Sequence, residues 1–119
     1  ILGDWLEPGM HINAAGANSL TRRELDNSAV TKSSVIVTDA IDQAKIECAD
    51  LVIPIEAGLL QWEGITELGQ VVAGHTHGRG ASDDITLFES QGIGMEDVGV
   101  AAHIFAKATQ EGTGIPLPF

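Results

Sequence analysis

The sequence predicts an α/β fold, a three-layer arrangement in which helices cover a short parallel sheet. Three observations lead there. Strand-like and helix-like segments alternate along the chain instead of gathering in separate halves. The run 34–38 (SVIVT) is a β-branched run, the pattern of a strand buried on both faces. The 119 residues are 44% hydrophobic and 19% charged, enough for one small core and too apolar for disorder.

The elements follow in order. Residues 10–15 (MHINAA) read as a strand with a sharp exit at Gly16, and 23–31 (RELDNSAVT) as a short helix. After the strand 34–38, Asp39 is expected to cap a helix over 40–49 (AIDQAKIECA). The segment 51–55 (LVIPI) is apolar, but Pro54 cannot donate to a ladder, so it reads at best as a strand end. Residues 66–73 read as a helix closed by Gly74, and 74–82 (GHTHGRGAS) as a loop. A third strand is expected at 85–88 (ITLF). The longest helix spans 95–110, with Val98, Ala101, Ala102, Phe105 and Ala108 at helical spacing. Residues 112–119 read as a tail. A three-stranded sheet leaves an edge unpaired and a face short of cover, so the unit is expected to associate, with a further half-domain or with another copy of itself.

Composition excludes several classes of function. Six Lys and Arg against seventeen Asp and Glu give a formal charge of -11, the wrong sign for nucleic acid or an anionic membrane. No run of 18 apolar residues occurs, so no membrane-spanning segment is expected. With two Trp, three Phe and no Tyr, the core falls to Ile, Leu, Val and Ala. A single cysteine, Cys48, forbids an intramolecular disulfide and fits a reducing, cytoplasmic setting; its place in a predicted helix suggests a buried structural thiol.

Three motifs in register carry a family resemblance. They are GMHINAAGANSLTRREL over 9–25, ELG over 67–69 ahead of the Gly/Arg loop, and DITLFESQG over 84–92 followed by Glu96 and Asp97. With their order and spacing, the chain resembles the ornithine cyclodeaminase/mu-crystallin family over roughly residues 3–112. The resemblance implies a Rossmann-like dinucleotide-binding fold, of which residues 1–119 would be the second half, with the N-terminal half and the substrate domain absent. It implies NAD or NADP as cofactor. It also implies hydride transfer at a carbon bearing an amine or imine, the chemistry of amino-acid dehydrogenases, ketimine reductases and cyclodeaminases. No G-x-G-x-x-G follows a strand; Gly92 and Gly94 precede a helix, but Asp97 stands at the third glycine position and Glu96 beside it would repel a pyrophosphate. The chain alone is therefore expected to be inactive.

The same resemblance assigns site residues, each with a structural alternative. Asn18 stands where cyclodeaminase members carry a catalytic Asp; Asn cannot serve as a general base, and it also suits a turn after Gly16. Ser90, ending the third strand, matches a serine that meets the nicotinamide end of the cofactor, or simply satisfies the turn. Ala15 matches a small residue whose backbone lies near the nicotinamide, or is core. Glu47 matches an acid near the ligand in hormone-binding members, or is solvated on its helix. His11 and Asn13 share one strand face and are expected to brace the turn of Gly16 and Asn18. Arg79 is expected to pair with a surface carboxylate. His75 and His77, with Asp83 and Asp84 nearby, fall short of a metal site, so no metal is expected. His103 is expected at the surface. Two classes of function stay open: a piece of an NAD(P)-dependent oxidoreductase, or a stand-alone, non-catalytic module that self-associates or binds a small ligand.

Overall fold

The computed structural model describes residues 1–118. It holds a four-stranded, all-parallel sheet of β1 (His11–Ala14), β2 (Val35–Thr38), β3 (Ile65–Glu67) and β4 (Thr86–Glu89), in the order β1-β4-β2-β3. The helices are α1 (Asn27–Lys32), α2 (Ile41–Glu47), α3 (Ala49–Glu56), α4 (Leu68–Val72) and α5 (Gly94–Glu111). The connections β1-α1-β2 and β2-α2-α3-β3 step one way across the sheet, and β3-α4-β4 steps back. Right-handed crossovers then put α1 to α3 on one face and α4 on the other, which gives the three layers.

The parallel register aligns Ile12, Leu87, Ile36 and Ile65 as one apolar row beneath α1 to α3. Leu25, Ala29, Val30, Ala44, Cys48 and Leu51 pack against it. Leu51 and Leu87 are fully buried, each worth about 1.5–3 kcal/mol relative to exposure. The opposite face carries His11, Asn13, Val35, Val37, Thr86 and Phe88. Between it and Leu68 and Val71 of α4 runs an open groove of about 510 Å³. Helix α5 buries none of its residues and exposes Met95, Val98, Val100, Ile104 and Phe105.

Several expectations are corrected. There are four strands, not three. Ile65 to Glu67, placed in part within a helix over 66–73, instead pair with Ile36 to Thr38, and α4 is confined to the five residues that follow. Residues 51–55 are helical. Pro54 is the sixth residue of α3, so it deletes a single ladder bond. Its own carbonyl accepts from Leu59 N while Ile55 O accepts from Gly58 N, a Schellman closure that needs the φ of +72° held by Gly58. The helix expected over 40–49 breaks at Cys48, which separates α2 from α3. The helix expected from residue 23 starts at Asn27, because the Asp26 side chain caps it through Ala29 N and residues 23–25 are held elsewhere, as described below. Helix α5 is one residue longer at each end than expected. Residues 112–118 have no regular structure; residue 119 lies outside the described residues.

Candidate functional site

In an open parallel sheet, ligands gather outside the carboxyl ends of the strands where the winding reverses. Here β4, reached by the backward step, lies between β1 and β2, so the exits of these three strands are neighbours. The row of residues at this edge, on the helix-covered face, turns polar: Ala14, Glu89, Thr38 and Glu67 stand in register.

Asp39, directly after β2, organises the edge. It was expected to cap the following helix. One oxygen, Oδ1, does accept from Ala40 N at 2.8 Å, but the N-cap position belongs to Ala40. The other oxygen, Oδ2, accepts from Ser90 Oγ (3.1 Å), Gln91 N (2.9 Å) and Gly92 N (2.7 Å). Gly92 adopts a φ of +77°, which a side chain would resist, and so turns its amide towards the carboxylate. Ser90 N also donates to Ala14 O at 2.9 Å, which binds the exits of β1 and β4 together. Thr38 has one hydroxyl proton and two acceptors at 3.3 Å, Asp39 Oδ1 and Gln91 Oε1, while Gln91 Nε2 is buried without a partner. Turning the Gln91 amide by 180° lets Nε2 donate to Thr38 and Thr38 donate to Asp39, and leaves Oε1 as the buried amide atom without a partner among the described residues.

Ser90 and Ala15 thus flank one edge, Ser90 half-buried and Ala15 exposed. Asn18 is exposed on the loop that follows. That loop is braced by Glu24, whose Oε2 accepts from Gly16 N at 2.7 Å and Ala17 N at 3.0 Å. His11 and Asn13, expected to brace it, do share a face but serve the groove instead. His11 Nε2 donates to Asn13 Oδ1 at 3.1 Å, and Nδ1 accepts from Thr86 Oγ1 at 2.7 Å. Glu47 ends α2, half-buried, one residue before Cys48. Arg79 is also corrected: among the described residues it pairs with no carboxylate but donates to the carbonyls of Asp84 and Met10 and to Thr86 Oγ1, pinning the 74–82 loop near the amino ends of β1 and β4. His75 Nδ1 donates to Gln70 Oε1 at 3.1 Å, and His77 and His103 are exposed. Among the described residues no three His, Cys, Asp or Glu side chains converge to hold a metal ion.

Beneath the edge lies a buried acidic pair that the sequence reading missed. Asp50, in the first turn of α3, is 1% exposed and accepts from Arg23 Nε, Glu24 N and Leu25 N. Glu89 is equally buried; one oxygen receives the Cys48 thiol at 3.6 Å and the other has no partner. Burial, and then the negative charge of Asp50, push Glu89 up to about 8. Burial and the nearby Glu89 raise the Cys48 thiol far above the usual range, so it is an inert structural group. The available signal was an acidic residue at the end of a strand otherwise apolar (TLFE) and another opening a helix on an apolar sequence (ADLVIPIE).

The sequence profile of the ornithine cyclodeaminase/mu-crystallin family matches residues 1–112. Delta(1)-pyrroline-2-carboxylate reductase of Bacillus cereus is 32% identical over 120 aligned residues, covering 100% of this chain and 37% of the relative. Among solved structures, the Thermococcus litoralis delta(1)-pyrroline-2-carboxylate reductase in complex with NADH and L-proline superposes with a TM-score of 0.88 at 36% identity, covering 98% of this chain and 36% of that one. An archaeal alanine dehydrogenase dimer with bound NAD gives a TM-score of 0.82 at 32% identity, covering 100% and 37%. The chain therefore spans little more than a third of the length of these relatives.

Proposed function

The chain belongs to the ornithine cyclodeaminase/mu-crystallin family, and from that premise we propose that it is the nicotinamide-side half of the dinucleotide-binding domain of an NAD(P)-dependent oxidoreductase. Its substrate class is an α-amino acid or a cyclic imine. The observation that carries this is the convergence of Ala15, Ser90 and Gly92 at the carboxyl edge, tied by the Ser90–Ala14 and Asp39 bonds. The relatives solved with NADH and L-proline, and with NAD, support the cofactor and substrate class.

The bound cofactor supplies or accepts the hydride. The residues of this chain fit the nicotinamide end: a half-buried hydroxyl at Ser90 and an exposed, small Ala15 leave room for a flat ring. They do not fit a pyrophosphate, since the first turn of α5 carries Glu96 and Asp97. Asn18 offers no base, which favours reduction or oxidation at the amine carbon over cyclodeamination. Glu47 lies on the same half as a weak substrate-side candidate. We place the protein in a cytoplasmic, reducing compartment, in keeping with its single buried thiol. No described helix is long and apolar enough to cross a membrane.

A second reading, a non-catalytic module that self-associates, is favoured by the open groove and by the exposed apolar residues of α5. Titration of the chain with NADH and with NADPH, following nicotinamide fluorescence and melting temperature together, separates the two. Saturable binding that raises the melting temperature supports the cofactor reading. No binding at millimolar cofactor, together with a mass above one chain, supports the module.

A further inference from the structure

Ser90 has one hydroxyl proton, and the structure assigns it. Oγ lies 3.1 Å from Asp39 Oδ2, a carboxylate oxygen that can only accept. Asp39 is held rigidly: its two oxygens receive Ala40 N, Gln91 N and Gly92 N as well, and the residue is 8% exposed. A charged acceptor outcompetes a neutral one for the proton. The lone pairs of Ser90 Oγ are then what remains for a ligand, while Ser90 N is spent on Ala14 O.

We propose that Asp39 is a positioning and specificity-determining residue, which fixes Ser90 as a hydrogen-bond acceptor and so makes the carboxyl edge select a ligand that donates there. On the reading that Ser90 meets the nicotinamide end of the cofactor, that donor is the carboxamide NH2. Asp39 acts through Ser90 and does not itself touch the ligand. A serine free to rotate its hydroxyl would accept from an amide or donate to a ketone with little preference. Ser90 does so only at a cost, because donating to a ketone withdraws one of the three hydrogen bonds on the buried Asp39 Oδ2.

The test compares two reduced probes, NADH and its 3-acetylpyridine analogue, in which a methyl ketone replaces the carboxamide. Both are titrated into the full chain by fluorescence, with the backbone amide signals of residues 90–92 followed by NMR. The readout is the ratio of the two affinities, which a general loosening of the fold would leave unchanged. The wild-type chain is expected to favour NADH by about tenfold, and Ser90→Ala and Asp39→Ala each to reduce that to about twofold or less, with no further fall in the double variant. Asp39→Asn keeps an acceptor for the Gln91 and Gly92 amides while removing the charge, so it folds and gives an intermediate ratio. Equal affinities in the wild type, or a ratio unmoved by both Asp39 variants, overturn the inference and leave the cofactor reading standing. Binding of neither probe at millimolar concentration, with the 90–92 amides unmoved, overturns the cofactor reading and this inference with it.

Discussion

The Asp50 carboxylate accepts the backbone amide of Leu25 at 3.0 Å, across 25 residues of sequence. With Glu24 N and Arg23 Nε on the same group, one buried side chain holds the segment before α1 in place. Asp50→Ala leaves the buried Leu25 amide unmet and strips the part-buried Glu24 N and Arg23 Nε of their acceptor. The expected cost is about 3–5 kcal/mol, and Asp50→Asn, which keeps one acceptor, costs about 1–3 kcal/mol. Urea unfolding of the two variants measures both. A loss under half a kcal/mol for the alanine variant would mean that water replaces Asp50 without penalty.

Glu89 makes stability fall with rising pH. Its folded value, about 8, lies above the usual 4.5 because it is buried and faces Asp50. Below pH 4.5 both folded and unfolded chains hold the proton and nothing is lost. From there to about 8 the unfolded chain releases the proton and the folded one keeps it, so stability drops; above 8 the loss is complete. The groups around it are Cys48, which stays protonated, the acids Asp50 and Glu24, and Arg23, whose charge opposes theirs. Glu89→Gln, which has no proton to lose, should flatten this slope by one proton and raise the melting temperature at pH 8. Equal slopes in variant and wild type would place Glu89 in contact with solvent.

Gly3 is fixed by space. A Cβ there would sit 2.4 Å from Ser28 Oγ and 2.6 Å from Ala29 N, inside the first turn of α1. Gly3→Ala should therefore push the short 3-10 turn Gly3–Trp5 off α1, breaking the bonds from Gly3 N to Asp26 and from Lys32 Nζ to Gly3 O. The expected cost is about 1–3 kcal/mol, read by thermal unfolding. A neutral result would show that the turn moves aside freely.

Phe105 is 75% exposed on a helix that buries nothing within the chain. If α5 joins copies, light scattering of the purified chain gives a mass above one protomer, and Phe105→Glu lowers it without changing the unfolding of the sheet. An unchanged mass in the variant would remove α5 from the interface.

Some of this was legible in the sequence because its signal is local. The run at 34–38 announces β2 by its consecutive β-branched residues Val35, Ile36 and Val37, and the family motifs carry through the exits of β1 and β4. Ile65 to Glu67 announce nothing, since three residues hold no period, and they become a strand only because Ile36 to Thr38 lie beside them. Pro54 misled for a related reason. Its missing donor rules out a central strand but costs a short helix one bond, and the closure at Gly58 favours the helix.

The sequence by itself determined the order of the main elements, the parallel sheet they build and the family to which the chain belongs. Apolar periodicity and motif spacing are properties of neighbouring residues. Tertiary structure alone decided that β4 inserts between β1 and β2, that Asp39 meets Ser90, Gln91 and Gly92 more than fifty residues on, and that Glu89 and Asp50 are buried together. Those outcomes depend on which strand exits become neighbours, and that is set by the summed packing of the sheet rather than by any one segment.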